Sequence, residues 1–343
     1  MTNRLLKQVV GIDVAQKELV VSLGKMDDMA AMTVYANKTF ANTKGGFMAL
    51  ISWISKHTDQ AYPLRFVMEA TGVYHESLAY YLFDKSYSVS IVMPNKISNF
   101  FRTLEIKTVT DKSMSAAIAM FGMEKQLDNW VPPKRVYRSL RQLTRERSQL
   151  VTERTIIKNQ LHAELSEAFP GDDTIRRMQD RIKMVDGQLK EVLTEIRGAI
   201  NNDKGVKAAL DMITTIPGIG LLTAAVILAE TNGFELIRSK KQLTSYAGLD
   251  VREKESGTSV KGKPKISKRG NKHLRKAMHL PALSAIRHSE RYKAVFVRVV
   301  SRNGIKMKGA VAVQRKLLEM AYTIYKTNKP YQKGYLQEMV ENS

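Results

Sequence analysis

Apolar residues along the first 130 positions change period several times, and each change marks an element. QVVGIDV and ELVVSLG, between Gln8 and Gly24, are rich in β-branched residues and read as two strands joined by the polar turn AQK. A third strand, MTVYANKTF, is expected at 32–40, followed by helical spacing through GFMALISWISKH. The strand LRFVMEAT (64–71), a helix around ESLAYYLFDK and the strand SVSIVMP (88–94) come next. Helices around Lys96–Leu104 and Lys112–Gln126 end the segment.

Trp130-Val-Pro-Pro133 marks a boundary, beyond which the apolar period becomes 3.5. Val136, Leu140, Leu143, Leu150, Ile157 and Leu161 form a seam that Arg147 and Arg154 interrupt. After the helix-breaking Pro170-Gly171, a cleaner run follows at Ile175, Met178, Ile182, Val185, Leu189, Val192 and Ile196. Two such helices make an antiparallel coiled-coil arm, a dimerisation surface or two members of an ordinary bundle. The arginine interruptions favour a second partner, protein or RNA. Past Asn201-Asn202-Asp203, MITTIPGIGLLTAAVILAE reads as a helix–turn–helix on Pro217-Gly218-Ile219-Gly220. That turn is either a helix-hairpin-helix holding a phosphate at the next helix start or a plain packing turn. A basic, glycine-bearing loop spans about Asp250 to Asn271, and helices run on from there.

Three strands in a meander and then alternating helices and strands are the order of a ribonuclease-H-like α/β domain. Asp13 and Glu69 stand near the ends of strands that would be parallel neighbours in it, and open α/β sheets place ligands at such ends. Asp111 is expected to cap the helix starting at Lys112 and to face the same end. Carboxylates gathered there repel unless a cation neutralises them, and hard oxygen donors suit Mg²⁺ or Mn²⁺. Taken singly, each acid also reads as turn, strand-end or cap chemistry.

The charge balance narrows the partner. The 343 residues carry 55 Lys+Arg against 33 Asp+Glu, a net charge of +22, which points to a nucleic acid. Cysteine is absent, excluding disulfides, thiolate metal sites and a cysteine nucleophile. The six histidines lack metal-ligand spacing. No apolar stretch approaches the roughly 20 residues of a membrane span. The start, MTNRLLKQVVGIDV, shows no signal-peptide pattern, so a cytoplasmic, nucleoid-associated bacterial protein is expected.

In the basic loop, Arg252, Lys254, Lys261, Lys263, Lys265, Lys268, Arg269, Lys272, Arg275 and Lys276 face only Glu253 and Glu255, a field suited to nucleic-acid phosphates. Ser256, Ser259 and Ser267 offer hydroxyls there, and the residues alone do not choose among them.

GIDVAQKEL, FVMEATGVYHESLAYYL and MPNKISNFFRTLEIKTVTDKSMSAAIAMFG resemble the N-terminal domain of the DEDD insertion-sequence transposases of IS family one-hundred-ten, a group that includes pilin-gene invertases and bridge-RNA-guided recombinases. TIPGIGLLTAAVILAE and KKQLTSYAGLDVREKESGTSVKGKPKISKRGNKHLRKAMH resemble the same family's C-terminal domain. The resemblance implies a RuvC-like catalytic domain (1–131), a coiled-coil dimerisation arm (132–203) and a mainly helical transposase domain (204–343). It implies acids at Asp13, Glu69 and Asp111, and a fourth three residues after Asp111, where this chain carries Met114. A water, Ser113 or Ser115 would then substitute, or a second metal would bind weakly. It further implies that Ser256, beside Gly257, attacks DNA to form a 5′-phosphoserine link with metal assistance. Expected partners are donor and target double-stranded DNA, a structured guide RNA and further copies of the chain in a dimer or tetramer. Two alternatives stand beside that expectation: a metal-dependent Holliday-junction-type nuclease using water, and a non-catalytic nucleic-acid-binding relative.

Overall fold

The computed structural model describes residues 4–332, apart from 71, 105, 107, 236, 253–254, 257–259 and 262–264. The chain divides into two compact units, Met1–Pro132 and Pro133–Ser343.

The first unit is built on a five-stranded sheet of β1 (Leu5–Val14), β2 (Glu18–Asp27), β3 (Met32–Ala41), β4 (Leu64–Glu69) and β5 (Ser88–Val92), in the order β3-β2-β1-β4-β5. The first three strands form the antiparallel meander, and β4 and β5 run parallel to β1 and to each other. This is the arrangement expected of a ribonuclease-H-like sheet. The central strands are almost wholly buried because helices cover both faces, whereas β3 is an edge strand with exposed positions. Residues of alternate parity feed two cores. Val10, Ile12, Val14, Phe66 and Met68 pack against α1 (Lys44–His57) and α2 (Glu76–Asp84). Val9 and Val67, on the opposite face, pack with α3 (Pro94–Phe101) and α4 (Asp111–Glu124).

The contact between α4 and β1 is unusually close. A Cβ on Gly11 would lie 2.4 Å from the Ser115 carbonyl oxygen and 2.3 Å from the Ala119 backbone nitrogen, so the helix rests on bare backbone. A Cβ on Gly122 would lie 2.7 Å from a Val9 methyl. Helix α4 therefore runs antiparallel to β1, with its first turn over the strand's carboxyl end.

In the second unit, α5 (Arg135–Leu165) and α6 (Asp172–Asn201) pack along each other on either side of the Pro170-Gly171 break. Leu140, Ile157, Val185, Val192 and Ile196 are buried along the seam. One of the arginine interruptions has an internal partner, since Arg154 pairs with Asp186 of α6 at 2.7 Å. Helix α5 also buries Tyr137 and Thr144, which the heptad pattern does not include. That second stripe exists because α5 packs on α8 (Leu221–Thr231) as well as on α6.

One core joins the long helices to α7 (Lys204–Thr214), α8, α9 (Lys240–Tyr246), α10 (Lys272–Ala277), α11 (His279–His288), α12 (Glu290–Asn303) and α13 (Lys306–Thr327). The short strands β6 (Val251–Arg252), β7 (Glu255–Ser256), β8 (Val260–Lys261) and β9 (Lys265–Ile266) pair as β6–β9 and β7–β8 in the basic loop. In the turn before α8, Ile216 and Ile219 are buried, and Gly218 (φ +88°) lies so near α11 that a Cβ would stand 2.5 Å from the Pro281 carbonyl. Packing therefore accounts for this glycine. Among the described residues no helix is long and apolar enough to cross a membrane.

Candidate active site

The register of β1 and β4 sets the first two acids side by side. Ile12 pairs with Met68, and Asp13 and Glu69 occupy the next step. Both share the parity of Gly11 and Val67, so both belong to the face that α4 covers. Asp111 starts α4 one turn before Ser115, the residue over Gly11, and the antiparallel run of the helix brings it to the same end.

The electrostatics report this convergence. The Asp13 carboxyl is pushed up to about 6, first by burial and then by the negative charges of Asp111 and Glu69. Asp13 and Glu69 are half-buried, and Asp111 is exposed. Among the described residues, no group of three His, Cys, Asp or Glu side chains is clustered tightly enough to hold an ion as it stands. Oxygen donors that pay an ionisation penalty together still suit a hard divalent cation, which would remove that penalty.

Two details differ from the sequence expectation. Thr110, not Asp111, caps α4. Its hydroxyl accepts from the Ser113 N–H at 3.1 Å, while Ser113 Oγ accepts from the Thr110 N–H at 2.8 Å. This reciprocal pair frees Asp111 for the first helical position, where the helix dipole favours a carboxylate. Neither serine substitutes for the missing fourth acid. Ser113 is occupied by the cap, and Ser115 is fully buried with its hydroxyl 2.8 Å from that of Ser22. Met114 packs its side chain against the core beneath α4.

In the basic loop, Arg252 and Lys265 face each other across the β6–β9 pair. Lys268 and Arg269 are exposed, and Lys272 opens α10. Arg275 is committed elsewhere, donating to the Ala247 carbonyl at 2.8 Å. The Ser267 hydroxyl donates to Asp250 Oδ1 at 2.6 Å, a contact that anchors the loop. Lys254, Lys263 and Ser259 lie outside the described residues, as do the side chains of Ser256 and Lys261.

A buried network in the second unit is not foreshadowed by any motif in the sequence. Glu230, 2% exposed near the end of the apolar helix α8, receives Arg145 Nε and Nη2 on its two carboxylate oxygens, each at 2.8 Å. Asn271 Nδ2 donates to the same carboxylate at 2.6 Å, and the Tyr246 hydroxyl donates to the Glu230 backbone carbonyl at 2.8 Å. Burial pushes the Glu230 carboxyl up, and the bonds from Arg145 and Asn271 more than reverse it, leaving it below the ordinary value. The available signal was a lone carboxylate in LLTAAVILAE, because a buried acid requires a partner.

Comparison with known proteins agrees with these features. Residues 10–170 match the DEDD transposase model of the IS110 group, and residues 210–296 match the model described as transposase IS116/IS110/IS902 family. The pilin gene-inverting protein of Moraxella bovis is 31% identical over 334 residues, spanning 95% of this chain and 98% of the relative. The chain belongs to the IS110-type DEDD transposase family. The Moraxella lacunata pilin gene-inverting protein is also 31% identical, over 336 residues. The transposase of insertion element IS1328 from Yersinia enterocolitica is 24% identical over 59% of this chain and 65% of its own. Among solved structures, Thermus thermophilus RuvC aligns over 36% of this chain and 99% of its own at 11% identity, with a TM-score of 0.29; the strand order, not this slight likeness, carries the fold.

Membership makes the chain an enzyme acting on DNA, of a nuclease type that generally uses divalent metal. It also corrects the mechanism expected from the sequence. A DEDD transposase cuts DNA by ribonuclease-H-like nuclease chemistry at its carboxylates, so the 5′-phosphoserine intermediate and the nucleophilic role of Ser256 are withdrawn. The physical reason is that a carboxylate-held cation can activate an oxygen nucleophile directly, with no protein–DNA ester.

Proposed function

We propose that Asp13, Glu69 and Asp111 form the centre at which this transposase cleaves DNA. The observation that carries the reading is the placement of Asp13 and Glu69 at adjacent ends of β1 and β4, with Asp111 in the first turn of the helix over them; the Asp13 carboxyl, raised to about 6 by burial and by the other two acids, agrees with it. A pocket that costs an acid its ionisation is poorly explained by stability and well explained by cation binding. A divalent ion, Mg²⁺ or Mn²⁺, would supply Lewis-acid stabilisation of charge on the scissile phosphate. Asp13 and Glu69 would hold it from adjacent strand ends, and Asp111 from the first turn of α4. With Met114 in the fourth position, the acids at hand favour one tightly held ion. The attacking oxygen belongs to water or a DNA hydroxyl.

Donor and target DNA would be held by the positive field of Arg252, Lys265, Lys268, Arg269 and Lys272, together with Lys254, Lys261 and Lys263. A structured guide RNA and a homo-oligomeric assembly belong to the same reading. They rest on the family resemblance and on a net charge of +22, which suits RNA as well as DNA. Sequencing the RNA that copurifies with the protein tests the first, and the mass of the complex in solution tests the second.

Incubation with nicked and four-way-junction DNA tests the catalytic reading. Cleavage should require Mg²⁺ or Mn²⁺ and fall by at least about 100-fold in Asp13→Asn with DNA binding intact. Undiminished cleavage by Asp13→Asn would remove the acids from the chemistry.

A further inference from the structure

A cleft of about 640 Å³ opens between α5 and α10, and its lining includes Arg145, Ser148, Thr152, Lys272, His273 and Lys276. A second hollow of about 330 Å³ shares four of these residues and continues toward α8, past Arg147. No residue of the acidic centre takes part. We propose that this cleft binds the sugar-phosphate backbone of a nucleic acid strand, with Arg145, Lys272 and Lys276 facing phosphates and the Ser148 hydroxyl, which accepts from Lys276, donating a hydrogen bond.

Three observations carry the assignment. The cleft is positive on balance, with Arg145, Lys272 and Lys276 against Glu153 and the Glu230 carboxylate that pairs with Arg145. It is also built. The buried carboxylate of Glu230 grips Arg145 at two points, yet the arginine side chain remains 42% exposed. The same carboxylate holds Asn271, whose side chain accepts from the Leu274 N–H and so fixes the start of α10 and the lysines it bears. Lys276 in turn reaches Ser148 at 3.1 Å, which sets cation and hydroxyl side by side across the cleft. A surface organised by a buried acid in this way holds its cations without the loss of freedom that weakens ordinary lysine–phosphate contacts. Finally, the volume falls in the range of ligand sites, on the order of 300–1,000 Å³, and admits a stretch of sugar-phosphate backbone. Burial and the charges of Arg145, Lys272 and Lys276 hold the His273 imidazole below its ordinary value against the opposing charge of Glu230.

The test is binding of the full chain, in EDTA, to a labelled duplex and separately to a structured RNA of equal length. Because cleavage plays no part, failure here leaves the acidic centre untouched, and the reverse also holds. The double substitution Lys272→Ala, Lys276→Ala changes two exposed side chains. It should weaken binding on the order of tenfold and lower the slope of log affinity against log salt by about 2. Exposed Lys56→Ala, in the other unit, is the control. Acylation footprinting adds a direct reading, with Lys272 and Lys276 protected by the bound strand and Lys56 still reactive. The arm, DNA or RNA, in which slope and footprint both respond identifies the occupant. Slopes within the control's range and unprotected lysines in both arms would overturn the proposal.

Discussion

The hydroxyls of Ser22 and Ser115 lie 2.8 Å apart in a fully buried contact between β2 and the first turns of α4. Asn37 of β3 donates to Ser22 Oγ at 2.9 Å, so three elements share one polar knot beneath the acidic centre. Removing a partner from such a knot leaves a buried hydroxyl poorly satisfied. Ser115→Ala should therefore destabilise the first unit by about 1–2 kcal/mol, measured by urea denaturation. Metal-dependent cleavage should persist in the folded fraction. Its loss from a folded variant would show Ser115 acting at the metal after all.

Gly11→Ala places a methyl group where the backbone of α4 already stands. A main chain cannot rotate away as a side chain can, so the helix must lift, taking Asp111 with it. About 3 kcal/mol of destabilisation is expected from overpacking of this kind. The titration of Asp13, followed by NMR, should shift toward the ordinary aspartate value as Asp111 withdraws. An unchanged midpoint would mean that the helix start sits elsewhere than over β1.

Asp13 gives a pH dependence of defined sign. Its folded value of about 6 exceeds the ordinary 3.8, so between these values the native state binds a proton that the unfolded chain has released. Without metal, stability should fall as pH rises from about 4 to 6 and then level off. Asp13→Asn should flatten that slope and raise the melting temperature at pH 7, and added Mg²⁺ should stabilise only the parent chain. Cleavage should decline as pH drops through about 6, where protons and cation compete. A pH-independent difference between the two proteins in thermal scans would contradict the grouping of the acids.

Glu230 has the opposite sign. Its folded value lies below the ordinary 4.5, so its contribution is present above that pH and disappears as pH falls through the folded value. Glu230→Ala strands Arg145 and loosens Asn271. A loss of ~3 kcal/mol near neutral pH is expected, shrinking in acid. Glu230→Gln should lose less, because an amide oxygen still accepts one donor. Equal losses in the two variants by chemical denaturation would argue that volume, not charge pairing, matters at this position.

Much of this protein was legible in one dimension. Strand and helix periods located all five strands of the N-terminal sheet, because a residue's burial there depends on parity or on a 3.6 period. QVVGIDV and LRFVMEAT were also recognisable as strands with an acid near the carboxyl end. The two long helices on either side of Pro170-Gly171 were legible as helices, though not the second buried stripe of α5.

What the order of residues could not supply was proximity between distant segments. The charge of Asp111 is felt at Asp13 because Gly11 lets α4 lie on bare backbone, and a glycine in a strand does not declare which helix it admits. Thr110 displaced Asp111 from the cap only once Ser113 completed the reciprocal bond. Arg145 was one basic residue among many on α5 until α8 set Glu230 against it. Local pattern decided the elements, because propensity and periodicity act between near neighbours. Side-chain chemistry was decided by tertiary packing, because desolvation and charge coupling depend on distances that only folding sets.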